Sequence, residues 1–347
     1  MDARTKRQLR DLVMLVGIGA GAGVAYMPFI SDVVTIGLAL RFAAQGALII
    51  VLVFGLEWLV ATGPASESLR RAPFAVVFLA KTLMTTVSIV AAYGIGGVVL
   101  FPERFADETA LHDLARDSVF ALCVAAVLQL VLMVRSIVGG RVLSNIILGR
   151  YHRPLSEERV FMFLDVTGST ALAERLGGIG AYAMISRFFF DVAQETVRYG
   201  GETHEYIGDE VVVTWPLKRG LENASCLQCY FAICDRIESK AAIYAREFGM
   251  VPTFRVGLHG GPIVAGECGD DKHEIVYFGD TINTAARIQE ACKELQRPLL
   301  ISGDLLRQMD MPPGYEAISL GNVKLRGREK EIKLFTVERR ATDHPIG

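Results

Sequence analysis

The chain has 347 residues, 51% hydrophobic and 21% charged, with a formal net charge of -2. That is too apolar for an ordinary soluble protein, and the near-neutral charge gives no reason to expect a nucleic-acid partner. Six cysteines fall mostly in apolar or helical stretches, which excludes a disulfide framework as the basis of the fold.

Almost all the apolar excess precedes residue 140, in four runs at about 12–30, 35–61, 74–101 and 119–139. Each suits a membrane-spanning helix, which takes ~20 residues. Residues 1–139 are therefore expected to form a transmembrane domain of four helices in a lipid bilayer. Arg4, Lys6, Arg7 and Arg10 precede the first run, Arg70 and Arg71 follow the second, and Arg141, Arg150 and Arg153 follow the fourth. The loop at 102–118 is acidic instead. This bias predicts a multi-pass protein of the plasma (inner) membrane, with both termini and the soluble half cytoplasmic. Glu57 and Lys81 sit at similar depth and are expected either to pair or to snorkel to the interface. Gly17, Gly19, Gly21 and Gly23 recur four apart on two faces, which permits close helix contact.

A cytoplasmic connector at 140–157 leads to alternating strands and helices over 158–338, then a tail at 339–347. RVFMFLDV reads as a buried strand, ALAERL and residues 181–200 as helices, and 202–215 as two strands around Gly208. A helical stretch is expected over 219–248. TFRVGLHG and GPIVAGEC read as two strands around Gly260 and Gly261, EIVYFG as a strand, and 280–295 as a helix. PLLISG and two short strands complete an α/β or α+β domain built on one sheet.

The strand FMFLDV delivers Asp165 at its end, and Asp209 lies at the tip of the next hairpin. Two such carboxylates can bridge two divalent cations, because hard cations take carboxylate and phosphate oxygens. The turn Thr167-Gly168-Ser169-Thr170 opens a helix whose free N–H groups suit a polyphosphate. A plainer reading of Asp165 is a cap for that helix. In NTAAR, Asn283 and Arg287 are four apart on one helix face. Arg287 can offer a planar fork to a phosphate oxygen, and Asn283 a hydrogen bond to a sugar oxygen.

FMFLDVTGST, EYIGDEVVV, RVGLHGGPIVAGE and FGDTINTAAR, in this order and spacing, resemble the catalytic domain of class III adenylate/guanylate cyclases. The resemblance covers about 158–338. It implies a ferredoxin-like core, so the expected architecture is a four-helix transmembrane anchor plus an α+β ferredoxin-like class III nucleotidyl cyclase catalytic domain. It also implies conversion of a nucleoside triphosphate to a 3′,5′-cyclic monophosphate and pyrophosphate. By similarity, Asp165, Asp209 and the carbonyl of Val166 would bind two Mg²⁺ or Mn²⁺ ions. Asn283 would position the ribose, and Arg287 would stabilise charge at the α-phosphate. Arg326, in VKLRGRE, stands where the family usually has a phosphate-binding Lys. The family works as dimers, so a homodimer with two composite sites is expected.

The base-reading positions depart from the family pattern. Adenylate cyclases place Lys and Asp where this chain has Glu205 and Val276; guanylate cyclases place Glu and Cys there. Glu205 is guanylate-like, and Val276 matches neither. The expected activity is ATP to cyclic AMP, with GTP to cyclic GMP as the alternative. A catalytically silent nucleotide-binding sensor is the alternative of another class. IGDEVVV is superficially similar to the hairpin motif of diguanylate cyclases, but NTAAR has no place in that family.

Overall fold

The computed structural model describes residues 3–29, 35–62, 72–102, 119, 122–123, 126–127, 129–130, 151–270 and 274–340. The chain divides into two compact units, Met1–Ser144 and Asn145–Gly347.

The first unit contains helices α1 (Ala3–Tyr26), α2 (Ile36–Thr62) and α3 (Phe74–Leu100). Among the described residues two segments, Ile36–Leu56 and Ala75–Leu100, are long and apolar enough to cross a membrane. The four expected spans are thus met by two. The apolar part of α1 is only Leu15–Tyr26, because basic and polar residues occupy its first half. Most of the fourth run lies outside the described residues, as does the Glu57 side chain, and with it the expected pairing to Lys81.

The glycines of α1 divide by face. A Cβ on Gly23 would lie 2.0 Å from the Phe42 carbonyl oxygen, and one on Gly46 equally close to that of Gly19. Gly17 and Gly21 have nothing within 4 Å. So α1 and α2 touch backbone to backbone along one stripe, the close packing that small residues allow. The buried face of α3 is also made of small side chains: Thr82, Thr85, Ser88 and Ala92. Gln45 Nε2 donates to the Ala92 carbonyl at 3.0 Å, and Gln129 Nε2 donates to Thr85 Oγ1 at 3.0 Å.

The second unit is built on one sheet. Its strands are β1 (Leu155–Val166), β2 (Glu202–Ile207), β3 (Glu210–Pro216), β4 (Phe254–Cys268), β5 (Glu274–Phe278), β6 (Leu299–Ser302), β7 (Tyr315–Val323) and β8 (Ile332–Arg339). They run in the order β2-β3-β1-β4-β6-β8-β7, with β5 paired to β4. Strands β4-β1-β3-β2 with the helices between them give the expected ferredoxin-like core.

Helix α4 (Ser169–Arg198) breaks at Gly177, which takes φ 70° and ψ 164°, so it is two helices, as the sequence implied. It is followed by α5 (Leu217–Leu221), α6 (Ser225–Ser239) and α7 (Ala241–Phe248). The single stretch expected over 219–248 is thus broken at positive-φ Asn223 and Ala224 and again at Lys240. Cys226 and Cys229 are buried on α6. Val160, Met162 and Leu164 of β1 pack with Met184 and Phe188 of α4 and Leu227 and Ile233 of α6 in the main core. Asp191, fully buried on α4, is held by Arg236, Lys240 and the Tyr244 hydroxyl.

Helix α8 (Asp280–Glu294) packs on the opposite face. Gly257 allows this, since a Cβ there would sit 2.4 Å from the Gln289 backbone nitrogen. The two strands expected around Gly260 and Gly261 are one continuous strand, β4. These glycines do not turn the chain. They leave room for neighbours, Leu305, Leu217 and Val160 at Gly260 and Thr281 at Gly261. A short helix, α9 (Gly303–Leu306), is capped by the Ser302 hydroxyl.

Candidate active site

Strands β1 and β3 run antiparallel, with Asp165 opposite Glu210 and the β2–β3 turn just beyond. The Val166 N–H donates to the Asp209 carbonyl at 3.2 Å, which pins that turn to the end of β1. Asp165 and Asp209, remote in sequence, are thereby brought into side-chain contact. Burial pushes the Asp165 carboxyl up to about 6, and the nearby Asp209 charge adds to the rise. The proximity of Gln289 and the charge of Arg255 pull the other way.

Glu210 is raised to about 7, first by burial and then by Asp165, Asp209 and Glu290. Sequence reasoning passed over Glu210 and Gln289. Adjacency to Asp209 was the only signal for the first, and nothing in the sequence marked the second.

Asp165 does not cap the following helix. The N-cap of α4 is Gly168, and no side chain there accepts a hydrogen bond. The Thr167 N–H donates to the Thr253 carbonyl at 2.8 Å, while Ser169 and Thr170 form the open first turn of α4.

Divalent cations fit this end of the sheet. Two like charges held close together form a donor pair that a hard cation relieves. Among the described residues no three His, Cys, Asp or Glu side chains gather as a complete metal site. The remaining ligands would come from the Val166 carbonyl and the phosphates of a nucleotide.

Asn283 and Arg287 stand on α8, Asn283 exposed and Arg287 partly so. Arg287 Nη1 donates to Glu290 Oε1 at 2.5 Å. Among the described residues no hydrogen bond or ion pair joins Asn283 or Arg287 to either aspartate. Arg326 is exposed in the loop between β7 and β8.

Glu205 pairs with Val212 beside a bulge in β2 and is exposed, whereas Val276 pairs with Gly266 and is half-buried. The residues next to them meet: the rings of His204 and Tyr277 are 4.6 Å apart. Buried Arg159 lies 4.9 Å from the Tyr277 ring centroid and donates to Thr214, Glu157 and Glu202.

Residues 154–339 match the sequence profile of the adenylate and guanylate cyclase catalytic domain. The chain belongs to this family. As a class III cyclase it is similar to Adenylate cyclase 2 of Rhizobium meliloti (strain 1021), at 34% identity over 330 residues, 94% of this chain and 90% of that protein. It is also similar to Adenylate cyclase 1 of the same organism, at 25% identity, over 52% of this chain but only 27% of that relative. Its fold is similar to that of a bacterial light-regulated adenylyl cyclase, with a TM-score of 0.52 at 19% identity, over 63% of this chain and 65% of the other.

Proposed function

We propose that this class III cyclase is a membrane-bound adenylate cyclase that converts ATP to 3′,5′-cyclic AMP and pyrophosphate. The observation that carries the reading is the contact between Asp165 and Asp209 beside the open first turn of α4. The likeness to Adenylate cyclase 2 along nearly the whole chain supports ATP as substrate.

Asp165, Asp209 and the Val166 carbonyl would hold two Mg²⁺ or Mn²⁺ ions. Such ions lower the pKa of a ribose 3′-hydroxyl and offset phosphate charge. The N–H groups around Thr167, Gly168, Ser169 and Thr170 receive phosphate oxygens at the positive end of the helix dipole. Arg326 adds a guanidinium fork to the triphosphate. Asn283 orients the ribose. Arg287 exchanges Glu290 for the α-phosphate, where negative charge builds up during attack. Glu205 accepts from the N6 amine of adenine, and Val276 contributes only contact.

The exposure of Asn283 and the partial exposure of Arg287 on α8 support a homodimer with two composite sites, each pairing the metal acids of one copy with the α8 residues of the other. The two long apolar helices and the basic residues flanking them support an anchor in the inner membrane, with a domain division at 139/140 and 157/158 and the catalytic domain cytoplasmic.

One observation favours a second reading, guanylate cyclase. An exposed, acceptor-only Glu205 matches the N1–H and N2–H₂ edge of guanine. Rates for ATP and GTP on the purified full chain in detergent with Mn²⁺ test both. Faster cyclic AMP formation is expected. Faster cyclic GMP formation selects the second reading, and no product from either nucleotide overturns both in favour of a silent sensor.

A further inference from the structure

The loop between β7 and β8 is fastened to α8 at two points. Its residues Leu325 to Arg328 form a tight turn, in which the Arg328 N–H donates to the Leu325 carbonyl at 3.1 Å. Gly327 has φ 75°, the left-handed value that the third position of a type II turn requires. Arg326 occupies the second position, exposed at the tip. On one side of the tip, Leu325 is buried against Ile288, Ala291 and Cys292 of α8. On the other side, Arg328 spreads its guanidinium over the first turn of the same helix. Its Nη2 donates to Asp280 Oδ2 at 2.8 Å, and its Nη1 donates to Thr284 Oγ1. Asn283 and Arg287 project from this helix, so the Arg326 tip and those two residues share one braced unit.

We propose that Arg328 is a positioning residue for the triphosphate, holding Arg326 in fixed register with Asn283 and Arg287. The inference rests on the cyclase reading above and deepens it. Arg328 is committed to Asp280 and Thr284, so it acts through Arg326 rather than on phosphate itself. The fork geometry matters, because a Lys reaches one partner where Arg reaches both.

Steady-state kinetics of the full chain in detergent, with ATP and Mn²⁺, test this on Arg328→Gln, Arg328→Lys, Asp280→Asn, Arg326→Ala and the double variant Arg326→Ala/Arg328→Gln. Arg328→Gln and Asp280→Asn should each raise KM for ATP about five- to tenfold with kcat within about twofold of wild type, the signature of lost binding. Arg328→Lys should fall between. The double variant should be no worse than Arg326→Ala alone, since a residue that acts only through Arg326 adds nothing once it is gone. Wild-type KM in both Arg328→Gln and Asp280→Asn overturns the inference. So does a multiplicative loss in the double variant, or a fall in kcat and folded yield with KM unchanged. An active wild type with a normal Arg328→Gln sinks only this inference, whereas an inactive wild type removes the cyclase reading and this inference with it.

Discussion

The Asp165 carboxyl lies close enough to Asp209 for the Asp209 charge to raise its pKa, although a long helix and a strand separate the two residues in the chain. The contact exists because β1 lies between β3 and β4 and the β2–β3 turn folds over its end. Two acids held together in this way repel once both ionise, so the metal-free protein carries a built-in strain that a cation relieves. Asp209→Asn should therefore raise the metal-free thermal midpoint at neutral pH by roughly 2–4 °C while lowering turnover by about 100-fold or more. A variant that lost activity with no gain in metal-free stability would contradict this view of the pair.

The proposed composite site has a distinctive genetic signature. Asp165→Ala and Arg287→Ala should each be inactive alone. Co-expressed, they should form mixed dimers with one intact site, giving about a quarter of wild-type activity for random pairing. Failure to recover any activity from mixed dimers shown to form would argue for sites built within single chains.

The proposed role of Glu205 in nucleotide choice is open to a direct test. Replacing its carboxylate with an ammonium removes the acceptor that suits guanine and adds a donor. Glu205→Lys should lower the GTP-to-ATP rate ratio by about tenfold, the size of one charge-assisted hydrogen bond. An unchanged ratio would place base reading elsewhere, with His204 and Tyr277 the nearest neighbours to examine.

Much of this was legible in the sequence, for definable reasons. The apolar run ending in Asp165, the Asn283–Arg287 spacing and the Gly208 hairpin are local patterns, and each sits where the pattern implied. Gly260 and Gly261 were misleading, because a glycine pair has the same appearance at a turn as in a strand crowded by neighbours. Only the packing of Leu305, Leu217 and Thr281 separates the two cases. Glu210, Gln289 and Arg328 were missed because their importance comes from what the fold places beside them. Run one looked long enough to span a membrane, but the helix is apolar only over Leu15–Tyr26.

His259 gives the soluble domain a pH signature. Its Nδ1 lies 2.7 Å from Ser302 Oγ, which also accepts from the Leu305 N–H. Burial lowers the His259 pKa from 6.5 to about 4, with Asp304 and Asp280 opposing and Arg328 assisting. Between those values the unfolded chain binds a proton that the folded one does not. Stability is thus complete above pH 6.5 and is lost as pH falls toward 4. Urea unfolding at about pH 7 and about pH 5 should show a smaller loss in His259→Gln than in wild type. Equal losses would remove His259 as a source of the acid sensitivity.

In the first unit, Gly46→Val forces a side chain into the Gly19 carbonyl. Overpacking of this kind costs about 1–3 kcal/mol, so the thermal midpoint of the full chain in detergent should fall. Gly21→Val, in open space, should change it much less. Equal effects would mean that α1 and α2 do not pack along the Gly19–Gly23 face.

The most direct test of the paired carboxylates is a Mn²⁺ titration of the full chain in detergent, followed by thermal midpoint in the presence of a non-cyclising ATP analogue. Wild type should gain stability with Mn²⁺ in a saturable way, and Asp165→Asn and Asp209→Asn should each lose most of that gain. The same Mn²⁺-dependent gain in all three proteins would show that the ions bind elsewhere and that this pair is not the metal site.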